Sequence, residues 1–166
     1  MHFEAINSSG LTVERLRSDD WEMYRAIRLA SLQESPESFC TSLEEAESRS
    51  EESWKSQVLQ LATSSVDSCF IGKLLEEPVG IMSVYQVQPG VSELMQVWVS
   101  PRLRGTGIAR TLFSTLLDWV RHSETERFLL RVKSYNSRAV EFYRKLGFSF
   151  LDKAGSEDRY EFPLTS

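Results

Sequence analysis

The sequence predicts one α+β domain across residues 1–166, and three observations carry that prediction. Strand-like and helix-like runs follow one another in the order βααβββαβαββ. Three of the strand-like runs stand back to back over residues 69–99, divided only by "EEP" and "QPG", which predicts an antiparallel meander. No repeat, low-complexity segment or linker interrupts the chain.

"LTVERLR" (11–17) alternates apolar and polar residues as a half-buried strand does. In "SDDWEMYRAIRLASLQ", Asp19 and Glu22 are spaced as an N-cap and its N3 partner. Trp21, Tyr24, Ile27, Arg28 and Leu32 then recur at helical spacing until Pro36 stops the helix. Residues 34–52 hold seven glutamates against one arginine, Arg49. Such a stretch is either a solvated acidic loop or an acidic rim beside a site for a cationic substrate. "SRSEESWKSQVLQLA" predicts a second helix, with Ser48 and Glu51 spaced as a capping box.

After the strands "CFIGKLL", "VGIMSVYQV" and "VSELMQVWV", a helix is predicted over 107–123, burying Ile108, Leu112, Leu116, Trp119 and Val120. "RFLLRVK" (127–133) is a strand and "NSRAVEFYRKL" a short helix that Gly147 closes in the left-handed conformation, with Phe142 and Leu146 in the core. "FSFLD" and "RYEFPL" supply the last two strands.

Composition narrows the function classes. The 41% hydrophobic and 26% charged residues suit a soluble globular domain long enough to bury a core. A net charge of −5 argues against nucleic acid as the main partner. No run approaches the roughly eighteen apolar residues of a membrane span, so no membrane partner is expected. "MHFEAINSSG" lacks the basic and apolar regions of a signal peptide. Cys40 and Cys69 have no metal-ligand spacing, and His2 and His122 are far apart, so no metal is expected. Both cysteines read as small buried hydrophobes, and a reducing cytoplasm is the expected location.

The chemistry concentrates in "ELMQVWVSPRLRGTGIARTLF" (93–113), where a strand meets a turn with two glycines and then a helix. The first amides of a helix have no intrahelical partner, and with the positive end of the dipole they form an anion site. A P-loop is excluded, because no G-x-x-x-x-G-K-[S/T] exists. A dinucleotide fingerprint fails twice: Arg110 stands where its third glycine belongs, and the turn follows an antiparallel meander.

Arg104-x-x-Gly107-x-Ala109 matches (Q/R)-x-x-G-x-(G/A), and "LLRVKSYNSRAVEFYRKLGF" (129–148) supplies a second block. In it Leu130, Val132, Asn136, Ala139, Tyr143, Gly147 and Phe148 fall in register with L-x-V-x-x-x-N-x-x-A-x-x-x-Y-x-x-x-G-F. With these two blocks in this order, residues 69–150 resemble the GNAT superfamily of acetyl-CoA-dependent N-acetyltransferases. The resemblance implies a central, twisted, mostly antiparallel mixed sheet flanked by about four helices. It implies acetyl-CoA as co-substrate and direct acetyl transfer to an amine in a small cationic molecule or a protein. A non-catalytic coenzyme A-binding module of the same fold is the alternative. Homodimers are common in the family, which makes a dimer one further expectation.

By that resemblance Arg104 and the amides of Gly105, Thr106, Gly107, Ile108 and Ala109 hold the pyrophosphate. Arg110 and Arg102 either touch phosphates or are solvated. The strand end Val97, Trp98 and Val99 leaves backbone groups for the pantetheine amides, in the manner of strand addition. Asn136 caps the last helix and bonds the same arm. Tyr143, seven residues on, faces the same cleft and protonates the leaving thiolate. Glu93 stands where some family members carry the general base. Other members place the base where this chain has Arg131, so that assignment fails here. Neither cysteine lies in a matched block, which disfavours a covalent route through Cys.

Overall fold

In the computed structural model, residues 10–165 are described, so His2 and most of the N-terminal decapeptide lie outside the described residues. The elements run β1 (Leu11–Arg15), α1 (Trp21–Glu34), α2 (Leu43–Glu47), α3 (Glu51–Thr63), β2 (Ser68–Leu74), β3 (Glu77–Gln88), β4 (Val91–Val99), α4 (Ile108–Arg121), β5 (Arg127–Lys133), α5 (Ser137–Leu146), β6 (Ser149–Ala154) and β7 (Glu157–Phe162). All seven strands form one sheet in the order β1-β2-β3-β4-β5-β7-β6. Only β4 and β5 pair in parallel, through the α4 crossover, and the other pairs are antiparallel. The predicted α+β class and mixed sheet are therefore found.

Two cores divide along the sheet. Leu112, Leu116 and Val120 of α4 meet Val13, Phe70, Val84, Phe128 and Leu130 on one face. Tyr24 and Ile27 of α1 and Trp54 and Val58 of α3 meet Cys69, Ile71, Ile81 and Trp98 on the other. The period-two alternation of β2 and β3 thus reads buried on both faces, as expected of central strands covered by helices. Leu116 is fully buried in the α4 core, so Leu116→Ala should destabilise by about 2–5 kcal/mol through lost transfer energy and a cavity. Urea denaturation with an unchanged slope checks this; a loss under about 0.5 kcal/mol would remove Leu116 from the core's energetics.

Gly147 shows why one residue type was forced. Its φ is +117°, and a Cβ there would stand 2.9 Å from Cε2 of Phe162. That closes α5 and tucks Phe148 into an aromatic group with Phe113, Phe128 and Phe162, at centroid spacings of 5.4–5.7 Å. Phe142 and Leu146 pack at the edge of the same core.

Several local expectations need correction. The residue capping α1 is Asp20 rather than Asp19, and its carboxylate accepts from the Arg17 amide at 2.9 Å instead of from the helix. Ser50, not Ser48, caps α3, accepting from the Ser53 amide at 3.1 Å. Ser48 is occupied at the end of α2, a helix the sequence reading passed over inside the acidic stretch. Ser42 caps α2, which raises the helix count among the described residues to five. Cys69 is buried as expected, but Cys40 is exposed. Trp119 is only half-buried, and the Arg15 guanidinium lies over its ring at 5.1 Å.

Candidate active site

The site begins where a parallel pair comes apart. β4 and β5 register only at Val91–Arg127, Ser92–Phe128 and Glu93–Leu129. Beyond Glu93, β4 keeps β3 on one side but has no strand among the described residues on the other, while β5 continues along β7. Backbone donors and acceptors along one edge of β4 are thus left for a ligand. The cause is partly local. β4 carries a bulge opposite Ile81–Ser83, with Gln96 at φ +57°, and the bulge increases its twist away from β5. Gln96 is fixed there by hydrogen bonds to its Oε1 from Ser83 Oγ at 2.7 Å and Tyr24 Oη at 3.1 Å.

After Val99 the chain makes a single 3₁₀ turn (Pro101–Leu103) and then the glycine loop. Gly105 and Gly107 have φ of +82° and +91°, conformations a side chain resists, and a Cβ at either would meet open space. Gly107 is the N-cap of α4, and Thr111 N–H opens the helix on its carbonyl at 3.1 Å. The amides of residues 105 and 107 have no partner among the described residues, and the first-turn amides of α4 have none by helix geometry. Ile108 buries its side chain in the core, leaving only its amide for an anion.

Of the predicted cofactor contacts, Val97 and Val99 point their side chains into the α4 core, and Trp98 buries its ring among α1 and α3. Only their backbone can serve a ligand. Arg104 does not extend freely: Nε donates to the Val99 carbonyl at 3.1 Å and Nη2 to Glu34 at 2.8 Å. Arg102 pairs with Glu77 at 2.9 Å, whereas Arg110 is exposed. Asn136 caps α5, its Oδ1 accepting from the Ala139 amide at 3.2 Å, which leaves the Nδ2 donors for another partner.

Glu93 and Tyr143 lie on opposite faces of the sheet. Glu93 is buried and shares its face with its cross-strand neighbour Tyr85, and Oε2 accepts from Arg131 Nε at 3.2 Å. Tyr143 packs at a tilt against Phe142 and edge-on against Phe148 at the α4-side core, and its hydroxyl has no hydrogen-bond partner among the described residues. Burial raises its pKa well above the usual phenol value, so it carries its proton throughout the physiological range.

The sequence reading missed Glu34. Its Oε2 accepts from Trp98 Nε1 at 2.9 Å and from Arg104 at 2.8 Å, and also from Ser35. Burial pushes its carboxyl up, but the bonds from Ser35, Trp98 and Arg104 outweigh that and hold it at about 2. It ties the end of α1 to the end of β4 and to the glycine loop. Nothing in the pattern of "LASLQESPES" marks this glutamate among its acidic neighbours, because two of its three donors, Trp98 and Arg104, come from distant residues.

The splayed parallel pair thus leads through the glycine loop into the N-terminus of α4. A model of the Acetyltransferase (GNAT) family matches residues 15–148, and the chain belongs to that family. It is 30% identical over 74 residues to the uncharacterized N-acetyltransferase YobR of Bacillus subtilis (strain 168), covering 45% of this chain and 30% of that protein. The chain spans about a third of the length of the curated relatives it matches. Among solved structures it is similar to the PaiA N-acetyltransferase of Thermoplasma acidophilum in complex with coenzyme A. The TM-score is 0.72 at 20% identity, covering 92% of this chain and 98% of that one. It is also similar to a GNAT-family acetyltransferase of Streptococcus pneumoniae, with a TM-score of 0.73 at 20% identity, covering 91% and 96%. At those identities the likeness shows the fold. No helix among the described residues is long and apolar enough to cross a membrane, and none of their His, Cys, Asp and Glu groups could hold a metal ion.

Proposed function

We propose that this chain is an N-acetyltransferase that moves an acetyl group from acetyl-CoA directly to a primary amine. The observation that carries the reading is the opening of β4 from β5 beyond Glu93, beside the amides of Gly105 and of residues 107–110, which lack partners among the described residues, whereas the Thr106 amide donates to the Leu103 carbonyl at 3.3 Å. The residues fit the co-substrate: the glycine loop has open space for a pyrophosphate, and β4 has an open edge for the pantetheine amides. Bound there, acetyl-CoA supplies an acetyl group activated as a thioester.

The chain's own groups would divide the work by face. On the α1/α3 face, Glu93 accepts the proton that the acceptor ammonium must lose, directly or through water. A backbone amide near Val97 meets the negative charge that develops on the carbonyl oxygen. On the α4/α5 face, Tyr143 gives its proton to the departing thiolate. Arg104 holds the loop to β4 and Glu34, and Asn136 Nδ2 remains available to the pantetheine arm.

Release of free thiol from acetyl-CoA across a panel of amines tests this reading. Turnover with at least one amine is expected. Tight acetyl-CoA binding without thiol release on the whole panel would instead favour the non-catalytic module, which the Glu93–Arg131 ion pair supports. Glu93→Gln should lower kcat/KM at neutral pH by about 10²-fold or more, and the deficit should shrink as pH approaches the ~10.4 of a free amine. An unchanged pH–rate profile would hand the base role to water.

A further inference from the structure

Among the described residues, the buried charged side chains are Arg28, Asp67, Glu93 and Asp158. Asp67 is held by Gln60 and the Gln86 amide, Glu93 by Arg131, and Asp158 by Ser134 and Lys153. Arg28 differs. It is only 7% exposed, and its Nη1 is buried with no hydrogen-bond partner among the described residues. The Phe39 ring covers the guanidinium at 5.1 Å, which satisfies one face of the plane and none of its N–H edge. Burial keeps the neighbouring Cys69 thiol up at about 12 and raises the Tyr24 and Tyr85 hydroxyls, so none of these three supplies a negative charge. A buried cation without a counter-charge is costly and points to an anion that arrives with a ligand.

Its position says which ligand. One turn before Arg28, Tyr24 reaches Gln96 of β4, and at the end of the same helix Glu34 reaches Trp98. Arg28 therefore lies on α1 between two residues that touch the open stretch of β4. That is the face on which Glu93 stands, the acceptor side of the proposed reaction. The stretch beside it is different in sign: residues 34–52, whose Phe39 covers the guanidinium, carry seven glutamates, which attract an ammonium group and repel a polyanion such as phosphate. Arg49 adds no second free cation, since it is stacked on Trp54 at 3.9 Å and bonded to Ser53 and Gln57.

We propose that Arg28 binds the carboxylate of the acceptor, so that the acceptor is a small amino acid-like zwitterion whose amine is acetylated. This rests on the acetyltransferase reading but is tested apart from it. The common N-acetyl-L-amino acids and their C-terminal amides, the acids being products of the reaction, are titrated into protein saturated with coenzyme A. At least one acid should bind about ten- to a hundredfold more tightly than its amide, the range of a charge-assisted hydrogen bond. That preference should vanish in Arg28→Gln and partly return in Arg28→Lys. The comparison of acid with amide in the unaltered protein holds even if a variant fails to fold. Acids and amides that bind alike, or no acid that binds, overturn the assignment. Thiol release with the parent amino acids is measured alongside. A carboxylate preference without release would leave Arg28 standing and overturn acetyl transfer; release on amides and acids alike would do the reverse.

Discussion

Gly107→Glu should abolish coenzyme A binding, lowering acetyl-CoA affinity by at least about 10²-fold by calorimetry. Two effects act together. A non-glycine residue at φ +91° is strained by roughly 1–2 kcal/mol. More important, the new carboxylate would stand at the N-cap of α4, against the amides and dipole that hold the pyrophosphate. Open space around the glycine's Cβ position means that the side chain itself breaks no core contact. Strain and charge are therefore separable: Gly107→Asn, which tolerates the left-handed region, should keep most of the affinity. If the glutamate variant binds acetyl-CoA as the parent does, this loop is not the pyrophosphate cradle.

Tyr143→Phe should lower kcat by about 10²-fold or more while KM for acetyl-CoA changes little, since a general acid acts on the departing group rather than on binding. The ring's tilted and edge-on contacts with Phe142 and Phe148 are kept by phenylalanine, so stability should hold and the effect is chemical. Because burial raises the phenol's pKa above its usual 10.0, Tyr143 imposes no falling limb on the rate below about pH 10. The rate should instead climb with pH as the acceptor amine loses its proton. Equal kcat in variant and parent would remove Tyr143 as the proton donor.

How much of this was legible beforehand differs between the residues. The meander and the α4 and α5 helices showed in the sequence because their periodicities are local and their stop signals, such as Gly147, are backbone requirements. α2 did not, since five residues carry too little periodicity and the surrounding glutamates read as solvated loop. Glu93 was visible by position before the loop, yet its burial and its bond to Arg131 depend on two strands meeting for only three residue pairs. Glu34 and Arg28 were invisible as functional residues. A carboxylate that gathers Trp98 and Arg104, and a guanidinium left without a partner, are facts about residues far apart in the chain.

By itself the sequence determined the order of the strands and the longer helices, the left-handed Gly147 and the family resemblance, because each rests on spacing within a few turns of helix or strand. Only the tertiary structure decided where β4 leaves β5, which face each reacting group occupies and which buried charge lacks a partner. Those follow from how distant surfaces meet, and the burial that settles them is a property of the packed molecule rather than of any short run of residues.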